Sequence, residues 1–244
     1  MNLDDIFATI KDLICAPFPI FFVIISIASW FFHTRKRRKH IFELKMLAAE
    51  NGWQFYSEFD FPFLRELARF AGKVERGIFG ESWDSPFLQK SRNAIQGNLG
   101  GGNFAVFEQR YYTGAGKYRT EWTMTVFAIE LKDMNLPVFY LEPDSFDNFS
   151  MFPSDKKPDI NFYHINPKFS GKYLLYGPDE RRVRDLFSPS LLHFFEQIPF
   201  VRIIAGGRYL IIYEVSSKYG LSPHRTIENL NILDAVANAF KYRR

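Results

Sequence analysis

The sequence predicts an α+β protein: an N-terminal transmembrane helix followed by a cytoplasmic domain that contains an antiparallel sheet with flanking helices. Three observations predict it. Residues 13–32 run for 20 positions without a charge. From residue 94 the apolar pattern becomes an alternation, with glycine-rich turns between the alternating segments. Residues 40–50 and 226–242 instead carry apolar side chains at helical spacing. The expected organisation is a short external tail at 1–12, the helix at 13–32, a basic juxtamembrane segment at 33–40, and the α+β domain at 41–244.

A helix of 20 residues is about 30 Å long, the thickness of a bilayer's hydrocarbon core. Pro17 and Pro19 lie near the start of the apolar run, where they can kink or end it. Trp30, Phe31 and Phe32 lie at its other end, where aromatic rings favour an interface. Next come Arg35, Lys36, Arg37, Arg38 and Lys39, whereas Asp4, Asp5, Lys11 and Asp12 precede the run. The excess of positive charge on the C-terminal flank places the N-terminus outside and the domain in the cytoplasm, in a single-pass inner-membrane protein. A cleaved signal peptide would carry its charge before the run, with small residues at a cleavage site. The five basic residues read as an orientation signal and as a contact for anionic lipid head groups, worth about 1 kcal/mol each near the surface. Upstream, Leu3, Ile6, Phe7, Ile10 and Leu13 recur at helical spacing.

Residues 41–244 hold 25 of the 31 basic and 24 of the 27 acidic side chains, so the domain is nearly neutral despite the net charge of +4. That argues against a nucleic-acid partner, which needs Lys and Arg in excess on one face. With 28 Phe and 12 Tyr, the chain can bury a large core, and those residues favour strands. The lone Cys15 excludes an intramolecular disulfide and suits a reducing compartment.

Within the domain, Phe42, Met46 and Ala49 share a helix face, and Asn51-Gly52 ends that helix. Residues 53–56 alternate like a short strand. Asp60 and Pro62 open a second helix that Gly72 ends, and 80–92 reads as a loop. Strands are expected at 94–99, 104–112, 119–131 and 138–141, joined by glycine turns in a meander. The proline-rich stretch 144–170 is long for a structureless connection, so part of it should dock on the domain or serve function. A strand at 172–176, a helix capped by Asp179, a helix at 189–197, a hairpin around Gly206-Gly207 and a helix at 226–242 complete the series.

The glycine cluster at 97–102 is followed by Asn103-Phe104, not by the Lys-Ser or Lys-Thr of a phosphate loop. A strand, not a helix, comes next, so a hairpin turn accounts for it better; Gly114 and Gly116 read the same way. His193 and Glu196 sit three apart on a helix, but no second pair completes a metal site, and no metal or other cofactor is expected. No serine lies in a GxSxG elbow. Arg181, Arg182 and Arg184 form a small basic group that suits an anion or, more simply, salt bridges to nearby acids.

Gly52-Trp53-Gln54-Phe55, Gly97 with its glycine turn, Tyr111-Tyr112-Thr113-Gly114, Leu136-Pro137-Val138-Phe139, and Tyr173 through Gly177 followed by Val183-Arg184-Asp185-Leu186-Phe187 recur in one order. With that order the chain resembles, over residues 40–244, a family of single-span bacterial membrane proteins whose cytoplasmic α+β domain has no known function. The resemblance implies the fold and location above and carries no catalytic residues. The leading reading is therefore a membrane-tethered binding or scaffold module with a protein or small-ligand partner. The alternative is a membrane-associated hydrolase or transferase with a dispersed site, for which His164, Asp144, Asp147 and Arg184 would have to converge. A structural role in an envelope complex is not separable from the first reading by sequence.

Overall fold

The computed structural model describes residues 17–58, 91–100, 102–113, 120–144, 160–216 and 220–242. The chain divides into two compact units, Met1–Glu43 and Leu44–Arg244.

The first unit holds most of helix α1, Pro17–Glu50. The expected transmembrane helix is overturned here. Among the described residues no helix is long and apolar enough to cross a membrane. Residues 17–32 supply 16 positions of α1 before His33, about 24 Å at 1.5 Å per residue, where a span needs about 20 positions. The same helix then carries the five basic residues without a break. Residues 1–16, including Cys15 and the start of the expected span, lie outside the described residues. The fold class is therefore α+β without the span.

In the second unit, eight strands form one antiparallel sheet in the order β1-β2-β3-β4-β8-β7-β5-β6. They are β1 (Gln54–Glu58), β2 (Arg92–Leu99), β3 (Gly102–Thr113), β4 (Thr120–Glu130), β5 (Leu136–Pro143), β6 (Tyr173–Tyr176), β7 (Arg202–Gly207) and β8 (Tyr209–Ser216). Of the meander expected over 94–141, β2, β3 and β4 pair in order and β1 extends them, but its fourth strand, β5, does not pair with β4. The last-third hairpin β7–β8 then inserts between β4 and β5 and extends the sheet instead of forming a separate layer. The helices are α2 (Pro167–Ser170), α3 (Glu180–Leu186), α4 (Pro189–Gln197) and α5 (Pro223–Lys241).

Register places one apolar side chain from every strand in a single row: Phe55, Ile95, Val106, Phe127, Ile212, Ile203, Leu141 and Leu175. A second row, Phe104, Ile129, Leu210, Ala205 and Phe139, lies two residues along. Because side chains alternate between faces with period two, both rows fall on one face. Residues of α3, α4, α5 and the end of α1 join them in the core. Phenylalanines weld helices to sheet: Phe139, Phe187, Phe195 and Phe240 have neighbouring ring centroids 5.3–6.4 Å apart.

Several local expectations meet the structure differently. At the end of α1 the buried side chains are Leu44, Leu47 and Ala48, while Phe42 and Met46 are exposed. Both sets have helical spacing, and the one aligned with the sheet rows is buried. Gly52 ends the helix with φ +68°, as Asn51-Gly52 suggested. Helix α5 starts three residues early, because the Ser222 hydroxyl accepts from the Arg225 N–H and Pro223 takes the first turn. Part of 144–170 does dock. Ile160 and Phe162 are buried, the Ile160 N–H donates to the Leu175 carbonyl at 2.7 Å, and Asn166 caps α2. The helix expected at 60–72 and most of the 80–92 loop lie outside the described residues.

Glycine is required at two places in the β2–β3 hairpin. Gly100 has φ +52° in the turn. A Cβ at Gly97 would stand 2.5 Å from Trp53 Cδ1, so the missing side chain is what lets the indole lie on the sheet, edge-on to Phe104 with centroids 5.0 Å apart.

Phe127 is fully buried at the middle of the row. Phe127→Ala should lower the unfolding free energy of the full chain by about 3–5 kcal/mol in urea titration, the usual cost of removing a core phenyl ring. Phe42→Ala, at an exposed site on α1, should change it by less than about 0.5 kcal/mol.

Candidate functional site

Strands β7 and β8 pair as far as Arg202 opposite Tyr213 and no further. Had the ladder continued, residues 201, 200 and 199 would face 214, 215 and 216. On its other edge β8 stays paired with β4 through Ser216. Among the described residues no backbone bond closes the β7-side edge of 214–216.

Two side chains from β6 and the residue before it hold residues 195–201 where they are. The Lys172 ammonium donates to the carbonyls of Phe195 and Glu196, at 3.1 and 3.0 Å, and to that of Ile198. These are orphan carbonyls at the C-terminal end of α4, where a cation is favourable. The Tyr173 hydroxyl donates to the Pro199 carbonyl at 3.1 Å and accepts from the Val201 N–H. The ring of Phe200 is left 62% exposed, edge-on to Tyr173 and 5.1 Å below the Lys172 ammonium.

Between this segment, the end of β8 and the flank of α5 lies a groove of about 530 Å³. Phe200 and Ile232 give it an apolar side. Arg225, Glu228 and Asn229 give it a polar one. The Arg225 guanidinium binds Glu214 at 3.0 Å and Glu228 at 2.9 Å, and Asn229 Nδ2 donates to the other oxygen of Glu214 at 2.7 Å. Glu214, then Glu228, hold Arg225 charged by raising its pKa. Glu214 sits here because the row beyond Phe127 turns polar: Glu108, Thr125 and Glu214 are paired in register on the same face. Asn93, at positive φ beside a bulge in β2, donates to Glu108 at 2.7 Å.

The opposite face carries a second polar cluster. The Tyr140 and Tyr213 hydroxyls lie 2.6 Å apart, and Tyr140 donates to Glu142 at 3.1 Å. Both rings are buried.

The structure disperses the candidates named from sequence. Arg35, Lys36, Arg37, Arg38 and Lys39 are all exposed on α1 in the first unit. Gly97 lies within β2 opposite Phe104, and the hairpin turns beyond Leu99, which pairs with Gly102. His193 Nδ1 lies 3.3 Å from Glu196, whose other oxygen accepts from Asn166. Among the described residues no group of three His, Cys, Asp or Glu could hold a metal. Arg184 pairs with Glu180 at 2.8 Å, donates to the Asn161 carbonyl and covers the Phe162 ring. Asp179 caps α3. Asp144 and His164 are exposed, among the described residues no hydrogen bond or ion pair joins them to each other or to Arg184, and Asp147 lies outside the described residues, as do Gly114 and Gly116. Sequence reasoning missed Lys172 and Tyr173, whose partners are distant carbonyls that no spacing rule reveals. It also missed Arg225, for which Ser222-Pro223 was the available signal.

No family model matches the chain, and no curated protein matches it. A solved structure does: the crystal structure of the mycobacterial trehalose monomycolate transport factor A, TtfA, aligns with a TM-score of 0.50 over 82% of this chain and 95% of that one, at 11% identity. At that identity the likeness shows a shared fold.

Burial, above all, raises the pKa of the Tyr173 and Tyr140 phenols well above the ordinary value of about 10. The unfolded chain therefore releases these protons first. The stability they contribute is complete below about pH 10 and is lost as pH climbs towards the folded values. Lys172 has the opposite slope, because desolvation lowers its pKa. In Tyr173→Phe the Lys172 slope remains and one phenol is gone. This variant should lose about 1 kcal/mol near neutral pH and show a shallower alkaline decline than wild type between about pH 9 and about pH 11, read by urea unfolding at each pH.

Proposed function

We propose that this chain is a binding or scaffold module attached to the anionic, cytoplasmic face of a membrane. One observation carries the attachment. In α1 the described apolar residues from 22 to 32 are exposed, Trp30, Phe31 and Phe32 among them, and Arg35 to Lys39 follow directly, also exposed. Apolar side chains on all sides of a helix have no stable place in water, and an exposed patch of this kind marks an interaction surface. The basic residues select the partner: a surface of anionic head groups, with the aromatic rings at the boundary between head groups and acyl chains. On this reading the helix lies in the interface and does not cross it.

The binding half of the reading is supported by the second unit. One concavity of that unit, the groove beside α5, is lined by ion pairs and amides that bond among themselves, beside exposed apolar surface. Such a lining suits holding a ligand in place. The fold it shares with a transport factor accords with that role. Among the described residues nothing brings together a set that would favour the hydrolase or transferase alternative.

The test is sedimentation of the full chain with phosphatidylcholine vesicles, with and without phosphatidylserine. The protein should pellet with the anionic vesicles and release as salt rises. Replacing Arg35, Lys36, Arg37, Arg38 and Lys39 together by Gln should weaken that partitioning on the order of a hundredfold or more, given about 1 kcal/mol per residue. Equal pelleting of the variant, or no pelleting with anionic vesicles, would refute the attachment.

A further inference from the structure

We propose that α1 meets the lipid surface along one side, a stripe of Phe31, Arg35, Arg38 and Phe42, so that the contact runs past the basic residues and ends on the Phe42 ring. This rests on the attachment reading above. It says which side of the helix makes the contact and how far along the helix the contact reaches.

Spacing is the first support. Residues 31, 35, 38 and 42 stand four, three and four apart on an unbroken helix. At about 100° per residue they fall within about 60° of one another around the axis. From residue 22 to 32 the exposed apolar side chains lie on every side, and no side is singled out. Past residue 32 the next exposed large apolar side chain is Phe42, at 63%, and it comes back into line with Phe31. A lone exposed apolar residue is ordinary on any protein. A ring three turns from another, in line with it and joined to it by two exposed arginines, makes an amphipathic strip.

Charge is the second support. Arg35 and Arg38 fill the stripe between the two rings, and both are exposed. An arginine stem lies along apolar surface while its guanidinium reaches an anionic head group. Lys36 and Arg37 project about 130° from the midline of the stripe. The first acid in α1, Glu43, projects about 110° from it. Glu43 also pairs with Lys39, at 3.7 Å. The stripe therefore carries only positive charge from Phe31 to Phe42.

The same geometry separates two ways of meeting a bilayer. Phe42 stands about 15 Å beyond Phe32 along the axis. A helix entering end-on would leave the Phe42 ring outside the head groups and bring His33 nearer the acyl chains. A helix lying on the stripe holds Phe42 at the depth of Phe31 and turns His33, about 170° from the midline, towards water.

The experiment uses the full chain carrying Cys15→Ser, with a nitroxide on a cysteine introduced as Phe42→Cys or as His33→Cys. The vesicles are phosphatidylcholine with phosphatidylserine. Binding is read by sedimentation. Depth is read by paramagnetic resonance, from collisions with oxygen, which enters lipid, and with a nickel chelate, which stays in water. On binding, the label at 42 should gain oxygen collisions and lose nickel collisions several-fold, while the label at 33 keeps its nickel collisions. Phe42→Ala should weaken partitioning about tenfold, with its unfolding midpoint near wild type because the ring is exposed. Arg35→Gln with Arg38→Gln should weaken partitioning at least threefold more than Lys36→Gln with Arg37→Gln, an equal loss of charge held about a Debye length further from the surface. A bound protein whose label at 42 stays open to nickel would overturn the stripe and leave the attachment standing. So would shielding at 33 greater than at 42, or equal losses from the two double variants. Wild-type chain that fails to pellet with these vesicles removes the attachment and the stripe with it.

Discussion

The whole second unit hangs on the register that sets one apolar side chain per strand in line across eight strands, from Phe55 to Leu175. A slip of one residue at any strand would turn its members to the other face and leave a hole in the row. The hairpin turns fix part of that register: Gly100 between β2 and β3, and Gly207 between β7 and β8, both at positive φ. The rest is fixed by what the row packs against. Phe187, Phe195 and Phe240, from three different elements after β6, meet the same face. Burying one such ring stabilises by a few kcal/mol, and a register error would forfeit several at once.

The groove follows from where that row runs out. Beyond Phe127 and Ile212 the same face meets Glu108, Thr125 and Glu214, and a carboxylate there cannot be packed against apolar helix. Helix α5 answers with Arg225 and Asn229 at its N-terminal end and with Leu233, Val236 and Phe240 further along. One helix therefore covers both the apolar and the polar part of the face. Chain entering β7 meets a different demand. Helix α4 ends at Gln197 with carbonyls to satisfy, and Lys172 satisfies them from the side of β6. Satisfying them there keeps residues 199–201 away from β8. The separation of β7 from β8 is the cost of capping α4 from that direction.

How much of this was legible in the sequence depended on whether the deciding partner was near in the chain. Asp179 as a cap, Gly52, Gly100 and Gly207 as turns, and strands β2 to β4 as alternation all rest on neighbours within a few residues, and all are found. The choice between Phe42 and Leu44 as the inward side of α1 was not legible, because both series repeat at helical spacing and only the sheet distinguishes them. The hairpin β7–β8 was visible, but its insertion between β4 and β5 is a long-range choice that no local pattern encodes. Lys172 and Tyr173 read as an ordinary strand start. Their function lies in backbone carbonyls more than 20 positions away, and any sequence at 195–201 presents those carbonyls. The transmembrane assignment failed for a related reason. It rested on a count of uncharged residues, and among the described residues no helix is long and apolar enough to cross a membrane.

The proposed attachment follows from what α1 exposes. Its described apolar residues from 22 to 32 are exposed, Trp30, Phe31 and Phe32 among them, and five basic residues follow without a break. Rings exposed on every side of a helix fit no single protein groove, whereas the boundary of a lipid layer surrounds them. The basic residues make such a contact depend on anionic charge and weaken as salt rises, because screening acts on exposed charges first. A contact that charge sets and salt weakens is reversible, which distinguishes attachment to a surface from a spanning anchor.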